Sequence, residues 1–316
     1  MMPTSGFTAR MLTKIWVRDK PNLFSSRIKK SCMLKVMKKL LPLLAVLSLG
    51  VAAAPNNATF LVGYPPISSE NVFEVLGGVS GSTWLDGKKA VATAGMKYNS
   101  LWTIGGKTIS TSVGTAKESY GVPCEETFGV KLKPVPAIKN WVIATNATWN
   151  LRPRAVTVLP NDSGTYRAVV FEYLEKLGLK NPEVKITSLI KTDLDNDKQD
   201  EIIIAATRGY RSGLFPSARG EKGDYSLLLV RKIVAGKVQT ISLGQEIHLK
   251  TTTDADIEAG MQNNPDVWDL VNVLDLNGDG KLEVLYFEAI YEDSATFAVQ
   301  WDGKKFVQRL VSGCGV

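Results

Sequence analysis

Histidine is nearly missing from this chain: among 316 residues there is one, His248. It stands in Glu246-Ile-His-Leu, an alternating pattern with no catalytic motif around it, and reads as a surface or edge-strand residue. Also missing are a Gly-x-Ser-x-Gly elbow, a His-Glu-x-x-His helix and a phosphate-binding loop. Serine hydrolases, zinc proteases and kinases are disfavoured on those grounds. Cysteine is scarce too, with three residues, Cys32, Cys124 and Cys314. The longest apolar stretch, Leu40 to Ala54, is short for a membrane span, which takes roughly 20 residues.

An excess of acid is absent as well, and the formal charge of +7 suggests an anionic partner. Residues 1–53 account for that excess, with ten Lys or Arg against a single acid, Asp19. Without them 28 basic and 30 acidic residues remain, a net charge of −2, and no nucleic-acid patch is expected. Lys35, Lys38 and Lys39 precede the apolar stretch, which ends in small residues. That is the pattern of a secretory signal, and Val51-Ala-Ala53 fits the side before the cut. An uncleaved anchor is the alternative. Residues 1–32 resemble neither signal nor domain, so Met33 or Met37 is a candidate start. Secretion into an extracellular or envelope compartment would leave Cys124 and Cys314 as a candidate disulfide, against the alternative of two free thiols.

What the chain does have is a pair of acidic loops of one design, 82 positions apart. The first runs Asp193-Leu-Asp195-Asn-Asp197-Lys-Gln-Asp-Glu201 and the second Asp275-Leu-Asn277-Gly-Asp279-Gly-Lys-Leu-Glu283. Each puts oxygen-bearing side chains at positions 1, 3, 5 and 9, between two aliphatic runs. Carboxylates this close repel one another unless a cation sits among them. Oxygen ligands without Cys or His suit calcium, which takes six to eight of them, better than zinc or magnesium. Neither loop is an EF-hand, because position 12, which must be a bidentate Glu, is Ile204 or Tyr286. Two solvated acidic turns are the plain alternative.

A nine-position acidic loop running straight into a strand resembles the FG-GAP and VCBS-type repeats, here over about 184–316. The resemblance implies two structural Ca2+ sites. Their side-chain ligands would be Asp193, Asp195, Asp197 and Glu201, then Asp275, Asn277, Asp279 and Glu283. The carbonyls of Gln199 and Lys281 would stand at position 7. Position 6 of such loops turns with φ > 0. There the first loop departs from the pattern, with Lys198 where the second has Gly280.

Around the loops the spacing predicts two four-strand units, within 184–249 and 269–316. The first is Val184–Leu194, Glu201–Arg208, Tyr225–Ile233 and Lys237–His248. The second is Asp269–Leu276, Leu282–Tyr291, Thr296–Trp301 and Lys304–Val311. Gly236 and Asp302-Gly303 are hairpin turns. Tyr166–Leu177 reads as a helix with Val169, Val170, Tyr173, Leu174 and Leu177 on one face, capped by Ser163 or Thr165. Asp86 to Gly95 reads as a shorter helix or a hairpin. Leu101–Thr111, Thr127–Leu132, Trp141–Trp149 and Ala155–Leu159 are strand-like runs, so 54–165 reads as an α+β or β-rich region. The expected fold is mainly β with minor α. Two blade-like antiparallel repeats form an incomplete propeller, and their packing as a pair on the helix is favoured over further blades from the N-terminal region.

The function expected is that of a secreted or periplasmic calcium-binding protein. It would be a non-enzymatic binding or structural module for an envelope or extracellular ligand, without a transmembrane span in the mature chain. The runner-up is an extracellular carbohydrate-active hydrolase. It would draw its two carboxylates from Asp266, Asp269, Glu288, Glu292 and Asp293, with Trp141, Trp149, Trp268 and Trp301 as a sugar platform or, preferably, as sheet anchors. Arg208, Tyr210, Arg211, Arg219 and Lys222 make the loop after the first repeat's second strand basic. It reads as an anion grip or, preferably, a solvated loop.

Overall fold

The computed structural model describes residues 57–65, 72–93, 97–135, 139–209, 216, 219–259 and 265–315. The proposed signal, its cut site, Cys32, Ala94, Tyr210 and Arg211 lie outside them. The N-terminal part is a β-structure built from β1 (Asn57–Gly63), β2 (Val72–Ser80), β3 (Thr83–Leu85), the short helix α1 (Gly87–Thr93), β4 (Lys97–Thr103), β5 (Gly106–Ser119), β6 (Phe128–Lys133) and β7 (Val142–Thr145). The strands pair in the order β1-β7-β4-β5-β6-β2-β3, and β1 also pairs with β2, so six of them close into an antiparallel barrel. Closure depends on β1 and β2, runs that the spacing of the sequence did not single out. The Asp86 segment is the helix and not the hairpin.

The rest of the chain forms two sheets. The first comprises β8 (Thr157–Val158), β9 (Ile186–Thr192), β10 (Glu201–Arg208), β11 (Tyr225–Val234) and β12 (Lys237–Ile247), in the order β12-β11-β10-β9-β8. It therefore has five strands and not four, because the short Thr157–Val158 segment pairs with Lys191 and Ile190. Between β8 and β9 runs α2 (Gly164–Lys176), and α3 (Asp254–Glu258) follows β12. The second sheet is a plain meander of β13 (Val267–Leu274), β14 (Glu283–Ala289), β15 (Asp293–Trp301) and β16 (Phe306–Gly315). The β11–β12 turn places Ala235 and Gly236 at φ 50° and 75°, as a tight hairpin requires.

Barrel, second sheet, first sheet and α2 stack as successive layers, and the side-chain period shows how. In β14, Leu285 and Phe287 face the barrel, where they pack with Phe60, Val62 and Leu76. The alternate residues Val284 and Tyr286 face the first sheet and meet Ile203, Ala205, Leu228 and Val230. In β10, Ile202, Ile204 and Ala206 turn the other way, onto Val170 and Leu174 of α2. Both faces of each sheet are covered, so the central strands read as continuous apolar runs and not as clean alternation. The helix thus covers only the first sheet, while the barrel covers the second. Ser163 is the N-cap of α2 but makes no side-chain capping bond.

Cys124, in the turn before β6, is bonded to Cys314 of β16, with the Cα atoms 5.3 Å apart. The bridge ties the barrel to the last strand of the second sheet. Beside it, Thr127 Oγ1 donates to the carbonyl of Gly313 at 2.5 Å. No helix among the described residues is long and apolar enough to cross a membrane.

Candidate metal centre

Both acidic loops are hairpin-like turns between antiparallel neighbours: the first joins β9 to β10, the second β13 to β14. They adopt one conformation. Asn196 and Lys198 stand at φ 66° and 70°, and Gly278 and Gly280 match them at 74° and 82°. Lys198 therefore takes the left-handed backbone where the second loop has glycine, at a cost of roughly 1–2 kcal/mol.

The first Asp of each loop organises the turn through backbone amides. Asp193 accepts from Asn196, Asp197 and Lys198, and Asp275 accepts from Gly278 and Gly280. The position-7 amides, those of Gln199 and Lys281, donate to Asp197 and Asp279 at 2.8 Å each. The closing glutamates reach back in the same way: Glu201 Oε2 accepts from Leu194 N at 2.8 Å, and Glu283 Oε2 from Leu276 N at 2.7 Å. Both glutamates are 0 % exposed.

The two loops touch. Leu282 N donates to the carbonyl of Leu194 at 2.7 Å. Arg154 spans them, donating to the carbonyls of Asp193 at 2.6 Å and Leu194 at 3.1 Å and to that of Gly280. Trp149 Nε1 donates to the carbonyl of Asp275 at 3.0 Å, and Asp275 N to that of Leu151 at 2.7 Å. The segment from Trp149 to Arg154 is thus a strap across both turns. Apart from Trp149, nothing in its sequence pattern marks it, because it belongs to no regular element.

The loops part company in what meets the second oxygen of the closing glutamate. In the first, Lys232 Nζ donates to Glu201 Oε1 at 2.7 Å, Asp195 Oδ1 at 2.9 Å and Asp197 Oδ2 at 3.4 Å. Lys232 is 4 % exposed, and its ammonium lies 5.8 Å from the centre of the Trp301 ring. Burial opposes its charge, but the hydrogen bonds to Glu201 and Asp195 outweigh that and hold its pKa above the usual lysine value. In the second loop the same register position is Gln300. Ile202 pairs with Arg231 and Val284 with Val299, so Lys232 and Gln300 each stand one step beyond, beside the closing glutamate. Gln300 Nε2 donates to Asp279 Oδ2 at 2.9 Å, and its oxygen accepts from Arg309. Glu283 Oε1 is buried and has no hydrogen-bond partner among the described residues. Burial pushes the Glu283 carboxyl well above its ordinary pKa, and the charges of Asp279 and Asp275 add to the rise.

Ligand atoms of Asp193, Asp195 and Asp197 lie within 4.8 Å of one another, a spacing that would suit a metal ion. The donor sets nevertheless fit calcium unequally. The second loop offers three carboxylates, one of them with an orphaned buried oxygen, and an amide oxygen, although among the described residues only the first loop's aspartates are grouped that closely. The first offers four carboxylates, three of which already hold an ammonium.

Elsewhere, the carboxylates considered for hydrolysis are partly assembled. Glu288 of β14 is pushed up to about 7 by burial and then by the charges of Asp266 and Asp293. Glu246 of β12 is pushed up to about 7 by burial and by Asp266, and Asp266 itself up to about 6 by burial. Asp269 lies in β13, and Glu292 is exposed between β14 and β15. The tryptophans form no platform: Trp268 and Trp301 are 6 % and 5 % exposed, and Trp141 packs on Phe287 and Tyr64. His248 is not a surface residue but 1 % exposed, just past edge strand β12, with its amide bonded to the carbonyl of Asp224. In the basic loop, Arg208 pairs with Glu183 and Asp224, and Arg219 with Asp254. Comparison with protein-family models, with curated proteins and with solved structures found no match to this chain.

Proposed function

We propose that the second loop holds a structural calcium ion and that the chain is a secreted, non-enzymatic binding or structural module at the cell envelope. In this reading the two stacked sheets are a pair of FG-GAP/VCBS-type blades. The observation that carries it is Glu283 Oε1, a buried carboxylate oxygen without a partner beside Asp275, Asn277 and Asp279. An unpaired buried charge is costly, and a cation relieves it. Asp275, Asn277, Asp279, Glu283 and the carbonyl of Lys281 would hold the ion, which would neutralise the turn and fix its shape. Both flanking strands are buried and Leu276 already engages one oxygen of Glu283, so the site is suited to holding a turn and not to activating water.

The disulfide supports an oxidising compartment. Terminal sequencing of exported material should find a start within a few residues of Ala54; protein retained in the cytoplasm and beginning at Met1 would count against secretion. The function itself is tested by retention on envelope fractions and glycans, in calcium and in EDTA, beside a screen for hydrolysis of glycans, peptides and esters. Calcium-dependent retention without turnover is expected. The raised pKa values of Glu288 and Asp266 favour one second reading, a hydrolase, since a general acid must stay protonated near neutral pH. Turnover lost in a folded Glu288→Gln protein would establish it in place of the binding module.

A further inference from the structure

We propose that Lys232 is the built-in cation of the first loop, so that this loop binds no metal and the chain takes calcium only at the second. The inference rests on the calcium reading of the second loop for its total count, but not for the difference between the loops.

Four observations on Lys232 and a fifth on Asp193 carry it. The ammonium touches three of the four side chains expected to be ligands, Asp195, Asp197 and Glu201, at 2.7 to 3.4 Å. It approaches Glu201 through Oε1, the counterpart of the oxygen that stays orphaned in Glu283. Its backbone position is imposed by the sheet: Leu228, Val230 and Lys232 share one face of β11, and the first two are in the core between the sheets. The residue is buried and its ammonium lies 5.8 Å from the centre of the Trp301 ring, so the head group is held at the loop and not free to turn to solvent. The fourth member, Asp193, is engaged by three backbone amides and lies 3.8 Å from Arg154. A divalent ion in this loop would have to displace a buried ammonium that has nowhere to go, and would meet its repulsion there.

Two nearly identical turns are thus closed by different cations, one covalent and one diffusible. The choice is made by a single residue outside either loop, Lys232 or Gln300. A lysine has three donors and no acceptor, whereas the glutamine leaves the central space uncharged.

The test counts calcium ions per chain by equilibrium dialysis and calorimetry on the whole mature protein, wild type against Lys232→Gln, which copies the second repeat. The expected result is one ion for the wild type and two for Lys232→Gln, whose lowered melting temperature in EDTA is restored by calcium. No ion for the wild type and one for Lys232→Gln would still support the lysine, while removing calcium from the second loop. Equal counts in the two proteins, or two ions in the wild type, would overturn the proposal. If Lys232→Gln does not fold, Gln300→Lys decides: it should melt normally in EDTA and lose its response to calcium. A retained response would overturn the proposal.

Discussion

Removing the Cys124–Cys314 bridge should destabilise the chain strongly while leaving the metal loops untouched. The bond links residues 190 apart in sequence, so it closes most of the described chain, though not β1 to β5, into one loop. In the chain-entropy model a loop of that length restrains the unfolded state by about 5 kcal/mol, against a total stability of about 5–15 kcal/mol for a folded domain. For a body of this size each kcal/mol moves the melting temperature by roughly 2–4 °C, so the loss should be about 10–20 °C. The effect should concentrate at the barrel's contact with the second sheet, where Thr127 Oγ1 also bonds Gly313. The assay is thermal and urea unfolding of the Cys124→Ser, Cys314→Ser protein beside the wild type, with and without reductant. Reduced wild type should melt with the double variant. A difference of less than about 2 °C between oxidised wild type and the variant would refute the argument, because the bridge would then restrain nothing.

Two further outcomes follow from particular groups. Arg154→Met strips donors from the carbonyls of Asp193, Leu194 and Gly280. The Leu194 carbonyl keeps the amide of Leu282, and Gly280 is only half-buried, so the loss falls mainly on the Asp193 carbonyl. Chemical denaturation should show a loss of about 1–3 kcal/mol, the cost of one unsatisfied buried carbonyl; no measurable loss would show that Arg154 does not hold the turns. Glu246 and Glu288, pushed up to about 7, and Asp266, up to about 6, keep protons in the folded state that the unfolded chain has lost. Stability should therefore fall as pH rises from about 4 to about 7 and then level off. His248, whose pKa is lowered by burial, opposes this trend below about pH 6.5. The clean reading is the difference between wild type and Glu288→Gln in EDTA: the wild type should lose stability relative to the variant across that window, and parallel curves would contradict the burial of Glu288.

The strands of the two stacked sheets were legible because short apolar runs are interrupted at turns whose chemistry is local, such as Ala235-Gly236. The acidic loops were legible because their oxygens recur at fixed positions. The closure of the barrel was not, because it rests on β1 pairing both with nearby β2 and with distant β7, Phe60 against Thr145, and no local pattern encodes the second pairing. The fifth strand of the first sheet falls in the strand-like run Ala155–Leu159, but at two residues it has no period that would assign it to this sheet. Lys232 left a trace: it falls in phase with Leu228 and Val230 on the buried face of β11, where a lysine has to find acids. Gln300 left the same trace more faintly. Arg154 left none, since its partners are backbone carbonyls brought to it by the tertiary fold.

Thermal melts of the mature protein titrated with calcium show whether the second loop takes the ion and the first does not. A ligand that binds only the folded state stabilises it by about 2.7 kcal/mol at a hundredfold excess over its dissociation constant, which for this size is a rise of roughly 5–11 °C. Such a rise is expected in the wild type, with its loss in Asp279→Ala and its persistence in Asp195→Ala, whose loop is served by Lys232. A wild type whose melting temperature is indifferent to calcium, or whose response disappears in Asp195→Ala but survives in Asp279→Ala, would contradict that assignment.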